Sequence, residues 1–167
     1  MAAHQSAIRL DNQICFAVYN ANRLYNKFYQ LALAPFQLTY PQYAVLLALW
    51  EEDAVTLRAL GQKLHLESNT LTPLLKRLEK NGWVTRKRPL VDKRQLLLHL
   101  TDFGKKKQTE VMQAVLGCAN QMALSEASYH DSLNKIQELN VILSRQINEM
   151  ENGTSCIAEE HPTRCEQ

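Results

Sequence analysis

The sequence lacks several features that mark membrane proteins, secreted proteins and common classes of enzyme. It has no run of 18 apolar residues, so it predicts no membrane-spanning helix. Its first thirteen residues lack the apolar centre of a secretory signal, and we therefore expect a protein of the reducing cytoplasm, where structural disulfides are uncommon. A glycine-rich phosphate loop, a Ser/His/Asp signature and a Cys-x-x-Cys pair are also absent, which predicts no cofactor, no metal site and no enzyme activity.

What the sequence does have is an uneven distribution of charge. With 167 residues and 46% hydrophobic content the chain can bury a core, most simply as one domain. Residues 56–101 contain ten Lys or Arg and three acids, a net charge of +7, whereas the other 121 positions have a net charge of −5. A basic face on an acidic body is typical of a nucleic-acid binder. Each cation taken singly could instead be an ordinary surface residue.

Residues 56–80 predict a helix-turn-helix. Apolar residues at helical spacing indicate one helix over 56–64 and a second that begins at Ser68, its expected N-cap. The second helix has a buried leucine stripe at positions 71, 74, 75 and 78, and an opposite polar face suited to base edges or phosphates in the major groove. Pro73 is expected to distort this helix slightly. The predicted DNA-binding residues of the helix are Ser68, Asn69, Thr70, Thr72, Pro73, Lys76, Arg77 and Lys80.

The segment that follows predicts a β-hairpin wing. Asn81-Gly82 should end the helix, and strands are expected over 83–88 and from about 95 to 100. The tip at 89–94 is too long and too basic for a minimal turn, and its cations are suited to the phosphate backbone or the minor groove. The predicted wing contacts are Arg86, Lys87, Arg88, Lys93 and Arg94, with Asp92 orienting Arg94 or Arg77.

The remaining sequence predicts helices over 11–33, 40–52, 101–123 and 128–150, and a disordered polar tail from 151. Their apolar faces need a partner, for which a second copy is the simplest choice and packing within a monomer is the alternative. The expected dimer face contains Ile8, Leu10, Ile14, Leu116, Leu133, Ile136, Leu139, Ile142, Leu143 and Ile147. Such a homodimer would present two DNA-binding helices to a palindromic double-stranded operator.

The predicted fold class is therefore mainly α with a small β-hairpin wing, a winged helix-turn-helix in a two-fold homodimer. Residues 1–55 are expected to form N-terminal dimerisation helices that lead into the DNA-binding domain, and residues 56–101 the DNA-binding region. Residues 102–150 are expected to form C-terminal dimerisation helices, and residues 151–167 the disordered tail.

Four runs of residues, 13–16, 38–43, 70–79 and 92–94, resemble the MarR family of dimeric winged-helix regulators, and within it the organic-hydroperoxide-sensing OhrR branch. Together these runs are specific, although the Asp-x-Arg of the wing marks only the wider family. The resemblance covers the chain up to about residue 150. It implies a reduced dimer that represses a peroxide-detoxification gene, with an organic hydroperoxide as the oxidant that releases it from DNA.

Cys15 is the candidate redox-sensing residue. Thiolate attacks a peroxide oxygen, but a free thiol is only about 3% thiolate at pH 7, so a sensor needs groups that favour the anion. Cys15 is expected in the first turns of a helix, where the macrodipole favours an anion, and Tyr19 follows one turn later. The resemblance adds Tyr29 and Tyr40 as phenols that hydrogen-bond the sulfur from the dimer partner. Alternatively, Cys15 is a small buried hydrophobe, Tyr19 a packing residue and Tyr40 a helix lead-in.

The resemblance also implies a fate for the sulfenic acid that oxidised Cys15 would form: attack by Cys118, as in two-cysteine members of the branch. Cys118 as a plain packing residue, and resolution by a small cellular thiol, are the alternatives. An intersubunit disulfide would require helix movement if the Cα atoms start more than about 7 Å apart. Such movement would change the spacing of the two DNA-binding helices.

The other candidates are weaker. Cys156, His161 and Cys165 have spacing that could bind zinc or close a small disulfide, but we interpret them as residues of a disordered tail. An apolar entrance for the peroxide could involve residues that are equally well explained as core: Phe16, Phe36, Leu47 and Trp50. Two other functions stay open, a MarR-type regulator released by a small aromatic ligand and a thiol peroxidase that uses Cys15.

Overall fold

The structure, a computed structural model, describes residues 9–88, 96–120 and 125–153. In these ranges the chain forms seven α-helices and three short strands. In chain order they are α1 (Ile14–Ala32), α2 (Tyr40–Glu51), β1 (Val55–Thr56), α3 (Leu57–Leu64), α4 (Ser68–Lys80), β2 (Val84–Lys87), β3 (Leu97–Leu100), α5 (Asp102–Lys106), α6 (Gln108–Asn120) and α7 (Glu126–Glu151). The chain divides into two compact units, residues 1–121 and 122–167, and α7 is the described part of the second.

The strands form one antiparallel sheet in the order β1-β3-β2. β2 and β3 are the two arms of the predicted wing, with Val84 opposite Leu100 and Lys87 opposite Leu97. The sequence did not predict β1, because a strand of two residues carries no periodicity. Asp53 lies two residues before β1. Its Oδ1 accepts a hydrogen bond from the Leu100 N–H of β3 at 2.9 Å.

The core of the first unit lies between α2, α4 and the sheet. In α4 the predicted stripe is buried at Leu71, Leu75 and Leu78, whereas Leu74 is half-buried. These leucines belong to one apolar cluster with side chains of α2, among them Leu46 and Leu49. Each fully buried leucine stabilises the fold by about 1.5–3 kcal/mol, so the stripe fixes which face of α4 is left exposed.

The turn between α3 and α4 is held in a tight conformation by its backbone. His65 ends α3 in the left-handed region, with φ of 52°, and the Leu66 N–H donates to the Gly61 carbonyl at 2.9 Å. A Cβ on Gly61 would lie 2.8 Å from the Leu66 carbonyl oxygen, which is closer than carbon and oxygen can approach. Glycine at 61 therefore allows the close turn that sets the angle between the two helices.

Several predicted boundaries were wrong. The first helix begins at Ile14 rather than residue 11, after a short 3-10 helix over Leu10–Asn12. Glu67, not Ser68, occupies the N-cap of α4, and Ser68 is its first helical residue. Where a single helix was predicted over 101–123, the described residues up to 120 form two helices, α5 and α6, which are separated at Lys107; residues 121–123 lie outside the described residues.

The strands are shorter than predicted, and α7 is longer at both ends. The N-cap of α7 is Ser125, whose side chain accepts from the Ser128 N–H, so the helix starts before residue 128. It also continues through Glu151, where the sequence predicted that the tail begins. Residues 154–167 of the predicted disordered tail lie outside the described residues. They include Cys156, His161 and Cys165.

Candidate functional site

Most of the polar face of α4 is exposed. Ser68, Asn69 and Thr70 are exposed in the first turn, and three cations are exposed in the second half of the helix: Lys76, Arg77 and Lys80. Pro73 is also exposed and lies inside an otherwise continuous helix. A helix that buries one stripe and exposes hydroxyl, amide and cationic groups on the other is suited to the major groove, where base edges and phosphates accept and donate hydrogen bonds.

Hydrogen bonds order the beginning of α4. Asn69 Nδ2 donates to Glu67 Oε2 at 3.1 Å, and Thr70 Oγ1 donates to Asn69 Oδ1 at 3.1 Å. Thr72 is half-buried, and its hydroxyl donates to the Ser68 carbonyl at 2.6 Å. The Thr72 hydroxyl proton is therefore committed to the helix itself, whereas Asn69 is held in place with one amide hydrogen still able to reach a ligand.

Arg86 lies differently from the other predicted wing cations. It forms an ion pair with Glu79, in which Arg86 Nε donates to Glu79 Oε2 at 2.7 Å and Nη2 makes a second contact. The hydrogen bonds from Arg86 hold the pKa of the Glu79 carboxyl below its ordinary value. Because Glu79 is on α4 and Arg86 is on β2, this pair ties the wing to the helix that precedes it.

Two further wing cations follow Arg86 directly in the chain. Lys87 ends β2 and Arg88 follows it, and both are exposed. The rest of the predicted wing tip, Asp92, Lys93 and Arg94, lies outside the described residues, so the predicted pairing of Asp92 with Arg94 or Arg77 stays a prediction. Within the described part of the chain, the exposed cations of α4 and of the start of the wing lie in one short segment, residues 76–88.

Cys15 is a free, exposed cysteine at the second residue of α1. The first turn of a 19-residue helix presents backbone N–H groups without helical partners, which favours an anion there. Tyr19 lies one turn further along α1 and is 63% exposed, with its ring stacked against Phe16 at a centroid distance of 6.5 Å.

Tyr29 and Tyr40 are in contact in the same subunit, with ring centroids 4.5 Å apart. They belong to an aromatic cluster in which Tyr43 lies 5.9 Å from Tyr29 and Trp50 lies 6.3 Å from Tyr43. Burial raises the pKa of Tyr43, and the neighbouring Tyr40 acts in the same direction. Tyr40 itself is 43% exposed and opens α2, whose start is fixed by hydrogen bonding between Thr39 and Gln42.

Cys118 is a free cysteine in α6, half-buried where it packs against the apolar core of its unit. Because α6 packs on α1, both cysteines are on neighbouring helices of the first unit. The predicted dimer face includes many exposed apolar side chains: Leu10, Ile14, Leu116, Leu133, Ile136, Ile142, Leu143 and Ile147. Leu139 is half-buried, and Ile8 lies outside the described residues.

Comparison with known proteins gives the family. The family model for the SarA/Rot transcriptional regulators matches residues 27–114. The organic hydroperoxide resistance transcriptional regulator of Bacillus subtilis is 42% identical over 117 residues, which cover 68% of this chain and 80% of that protein. This chain belongs to the MarR/SarA family of winged-helix transcriptional regulators. The predicted resemblance to the OhrR branch of the MarR family is thereby confirmed.

Two other relatives place the MarR/SarA fold along most of the chain. AbfR of Staphylococcus epidermidis, in a structure of the reduced protein bound to DNA, is 45% identical, covers 86% of this chain and 99% of its own, and has a TM-score of 0.77. The regulator TtmR of Methylorubrum extorquens is 46% identical over 119 residues, which cover 70% of this chain but 61% of TtmR. These likenesses confirm the predicted winged helix-turn-helix, and they make this MarR/SarA member a DNA-binding regulator related to regulators rather than to enzymes.

Two acidic residues of this MarR/SarA chain hold the wing and the helices around it together, and the sequence analysis did not predict this role for either of them. Glu79 braces the wing through Arg86. Asp53 lies in the loop between α2 and β1 and ties it to β3 and α5, since it accepts from the Ala54 and Leu100 N–H groups and pairs with Lys105 of α5 at 2.9 Å. Although burial opposes it, hydrogen bonding from Lys105 and Leu100 holds the pKa of Asp53 below its ordinary value. Neither ion pair has a local sequence signal, because Arg86 is 7 positions from Glu79 and Lys105 is 52 positions from Asp53.

In residues 9–88, 96–120 and 125–153, no group of three or more His, Cys, Asp and Glu side chains is placed to hold a metal ion. In the same residues no helix has the length and the apolar character needed to cross a membrane.

Proposed function

We propose that this protein is a homodimeric repressor that releases a palindromic operator when an organic hydroperoxide oxidises Cys15. The observation that carries the proposal is the exposed Cys15 in the first turn of α1, in a subunit whose Tyr29 and Tyr40 form a contacting pair of phenols. The Bacillus subtilis relative is named for organic hydroperoxide resistance, and AbfR has structures in a reduced state on DNA and in a disulfide-bonded state. Both support a thiol-based signal.

In the proposed first step the Cys15 thiolate attacks the distal oxygen of the hydroperoxide. The sulfur gains that oxygen as sulfenic acid, the O–O bond breaks, and the leaving alkoxide takes a proton and departs as an alcohol. Phenol hydrogen bonds from Tyr19, and from the partner's Tyr29 and Tyr40, would stabilise the thiolate. Each hydrogen bond to a charged group contributes about 1.5–3 kcal/mol, enough to change the thiolate fraction tenfold or more.

In the proposed second step Cys118 of one subunit attacks the Cys15 sulfenic acid of the other. A disulfide forms, and the sulfenic oxygen leaves as water. Because Cys118 is half-buried against its own core, it has to move outward before it can bond. The movement would displace α6 and change the separation of the two α4 helices, which would then no longer fit half-sites one helical turn apart.

Cys15→Ser is the direct test of the sensor. The variant should bind operator DNA with unchanged affinity in fluorescence anisotropy, and cumene hydroperoxide should no longer release it. Wild-type protein treated in parallel should lose most of its operator binding. A normal peroxide response in Cys15→Ser would contradict the sensor proposal. If a phenolic acid releases the wild-type protein from DNA and peroxide does not, the ligand-controlled alternative is favoured.

Cys118→Ser tests the second step separately. This variant should still form a sulfenic acid on Cys15, detected by dimedone labelling and mass spectrometry, but should not form the cross-linked dimer on a nonreducing gel. If the cross-linked band persists, another thiol resolves Cys15. Peroxide turnover with a thiol reductant, at rates far above one oxidation per subunit, would instead support the thiol peroxidase.

A further inference from the structure

An open groove lies in front of the turn between α3 and α4. Its volume is about 1130 Å³. Pockets that enclose one small ligand usually measure roughly 300–1,000 Å³, so the size of this groove suits an extended chain better than a single small molecule. The lining comes from α3, from the turn and from the start of α4, and it includes Arg58, Gly61, Gln62, His65, Glu67 and Ser68.

One wall of the groove is a polar stripe on α3. Arg58 and Gln62 are one helical turn apart and His65 follows three residues later, so the three side chains share a face beside the buried Leu60. All three are exposed, and within the described ranges no ion pair or side-chain hydrogen bond involves any of them. Gly61 adds no side chain between them, which leaves the groove open at its floor.

Arg58 is the cation of α3 that is left to bind an anion. The other cation of the helix, Lys63, lies outside the lining of the groove and pairs with Glu51 at 2.5 Å. A guanidinium presents several N–H donors in a fixed plane, a geometry that matches two oxygens of one phosphate. An unpaired arginine on the wall of a groove therefore favours an anionic occupant.

The groove adjoins the face of α4 that is suited to the major groove of DNA. Ser68 belongs to both, since it lines the groove and is the first residue of the exposed polar face. In a helix-turn-helix the N-terminal residues of the second helix contact base edges while the first helix crosses the DNA backbone. A sugar-phosphate strand beside the major groove would therefore pass in front of the turn.

Glu67 places a negative charge in the same groove. It is exposed, and its Oε2 accepts from Asn69 Nδ2 at 3.1 Å, which holds the carboxylate at the start of α4. A carboxylate this close to a phosphate repels it, whereas Arg58 attracts it. The two charges give opposite expectations for any anion that occupies the groove.

We propose that this groove holds the sugar-phosphate backbone of one DNA strand, bound by Arg58 with Gln62 and His65 beside it and opposed by Glu67. The inference goes beyond the proposed function, because it assigns DNA contacts to α3 and the turn and does not involve the redox signal. Phosphates carry no sequence information, so both charges act alike on the operator and on unrelated DNA. Glu67 thereby lowers the affinity for all DNA and leaves the selection of sequence to α4.

Salt-dependent binding of the reduced full-length protein tests the role of Arg58. Fluorescence anisotropy compares an operator duplex with an unrelated duplex of equal length. Arg58→Ala should weaken binding to both by at least about tenfold, and for a dimer it should reduce the slope of log K against log salt concentration by about 1.8. Arg58→Lys should keep the slope, since it keeps the charge. Lys63→Ala is the matched control on the same helix and should change both quantities less.

Glu67→Gln tests the opposite sign. The new amide oxygen can still accept from Asn69, so the variant removes the charge and keeps the hydrogen bond. Binding to both duplexes should become tighter, whereas Glu52→Gln, which changes an exposed acid of the same unit outside the groove, should have a smaller effect.

Three results would overturn the assignment of the groove: equal slopes for Arg58→Ala and Lys63→Ala, a loss confined to the operator, or binding that Glu67→Gln does not tighten. Thermal unfolding checks that each variant is folded, and Arg58→Gln replaces Arg58→Ala if the alanine variant is not. No peroxide enters these measurements, so their failure leaves the role proposed for Cys15 untouched.

Discussion

Tyr40 and Tyr43 lie in one aromatic cluster but in different environments. Tyr43 is 6% exposed, and burial raises its pKa, so its phenol stays protonated and its ring supports the packing of Tyr29. Tyr40 is 43% exposed and contacts Tyr29 from the start of α2. At the scale of single residues, the phenol of Tyr40 is therefore more accessible than that of Tyr43 to a group outside its own subunit.

If the partner's Tyr40 donates to the Cys15 thiolate as proposed, Tyr40→Phe should slow the oxidation of Cys15 about tenfold, since it would remove one hydrogen bond to a charged sulfur and leave the ring in place. The measurement is the rate of sulfenic acid formation at limiting cumene hydroperoxide, followed by mass spectrometry. Tyr25→Phe is the matched control. Like Tyr40, Tyr25 is exposed and its ring contacts Tyr29. Equal rates for the two variants would contradict the role of Tyr40.

The ion pair between Glu79 and Arg86 should make stability depend on pH. Hydrogen bonding to Arg86 lowers the folded-state pKa of Glu79, so its contribution is present above the ordinary value of 4.5 and is lost as the pH falls through the lowered pKa. Glu79→Gln should cost about 0.5–1 kcal/mol at pH 7, a figure reduced for the partial exposure of the pair. Urea unfolding should show this deficit shrinking as the pH falls below 4.5 and through the lowered pKa of Glu79.

Glu51→Gln is the control for that experiment, because Glu51 pairs with Lys63 at a more exposed position of the same unit. At pH 7 its effect on the free energy of unfolding should be smaller than that of Glu79→Gln. A deficit for Glu79→Gln that stays constant from pH 7 to pH 3 would contradict the contribution of the ionised pair.

At the scale of elements, the helical glycines Gly61 and Gly117 differ in how closely other atoms approach them. Gly61 in α3 lies against the Leu66 carbonyl, and the close approach shapes the helix-turn-helix. Gly117 in α6 has no atom within 4 Å of the position that a Cβ would occupy. Close packing therefore explains the first glycine and does not explain the second, although Gly117 immediately precedes Cys118.

Gly61→Ala and Gly117→Ala should change stability in opposite directions. Gly61→Ala should destabilise the protein by about 1–3 kcal/mol, because the turn must open to admit the methyl group. Gly117→Ala should stabilise it by about 0.5–1 kcal/mol, because alanine loses less backbone entropy in a helix and meets no clash. Chemical denaturation of the reduced proteins measures both, and destabilisation by Gly117→Ala would show that the glycine is needed for packing.

The elements also show where local signals fail. Thr101 was predicted to cap one long helix, and its side chain does accept from the Gly104 N–H. However, the helix that follows is divided at Lys107, where α5 ends and α6 begins. Gly104 explains part of the constraint on α5, since a Cβ there would lie 2.3 Å from the Trp83 carbonyl and Trp50 Nε1 donates to the Gly104 carbonyl at 3.1 Å. These partners are distant in sequence.

At the scale of the whole molecule, the uneven charge should appear in the salt dependence of operator binding. Arg88→Ala removes one exposed cation from each subunit beside the wing. If each Arg88 contacts a phosphate, the slope of log K against log salt concentration should fall by about 1.8 for the dimer. The control is Lys135→Ala, which removes an exposed cation of α7 paired with Asp131. Equal slopes for both variants would contradict a DNA contact at Arg88.

The sequence by itself determined the helix-turn-helix, the wing and the face of α4 that is exposed, because these follow from local spacing and from the burial of leucines 71, 75 and 78. It also singled out Cys15 at a helix start. Only the tertiary structure decided which polar residues brace the winged unit, since Asp53 and Glu79 act on partners that are distant in the chain. It likewise decided that Cys15 is exposed while Cys118 is held against the core. Exposure depends on how whole elements pack, and no local pattern encodes that packing.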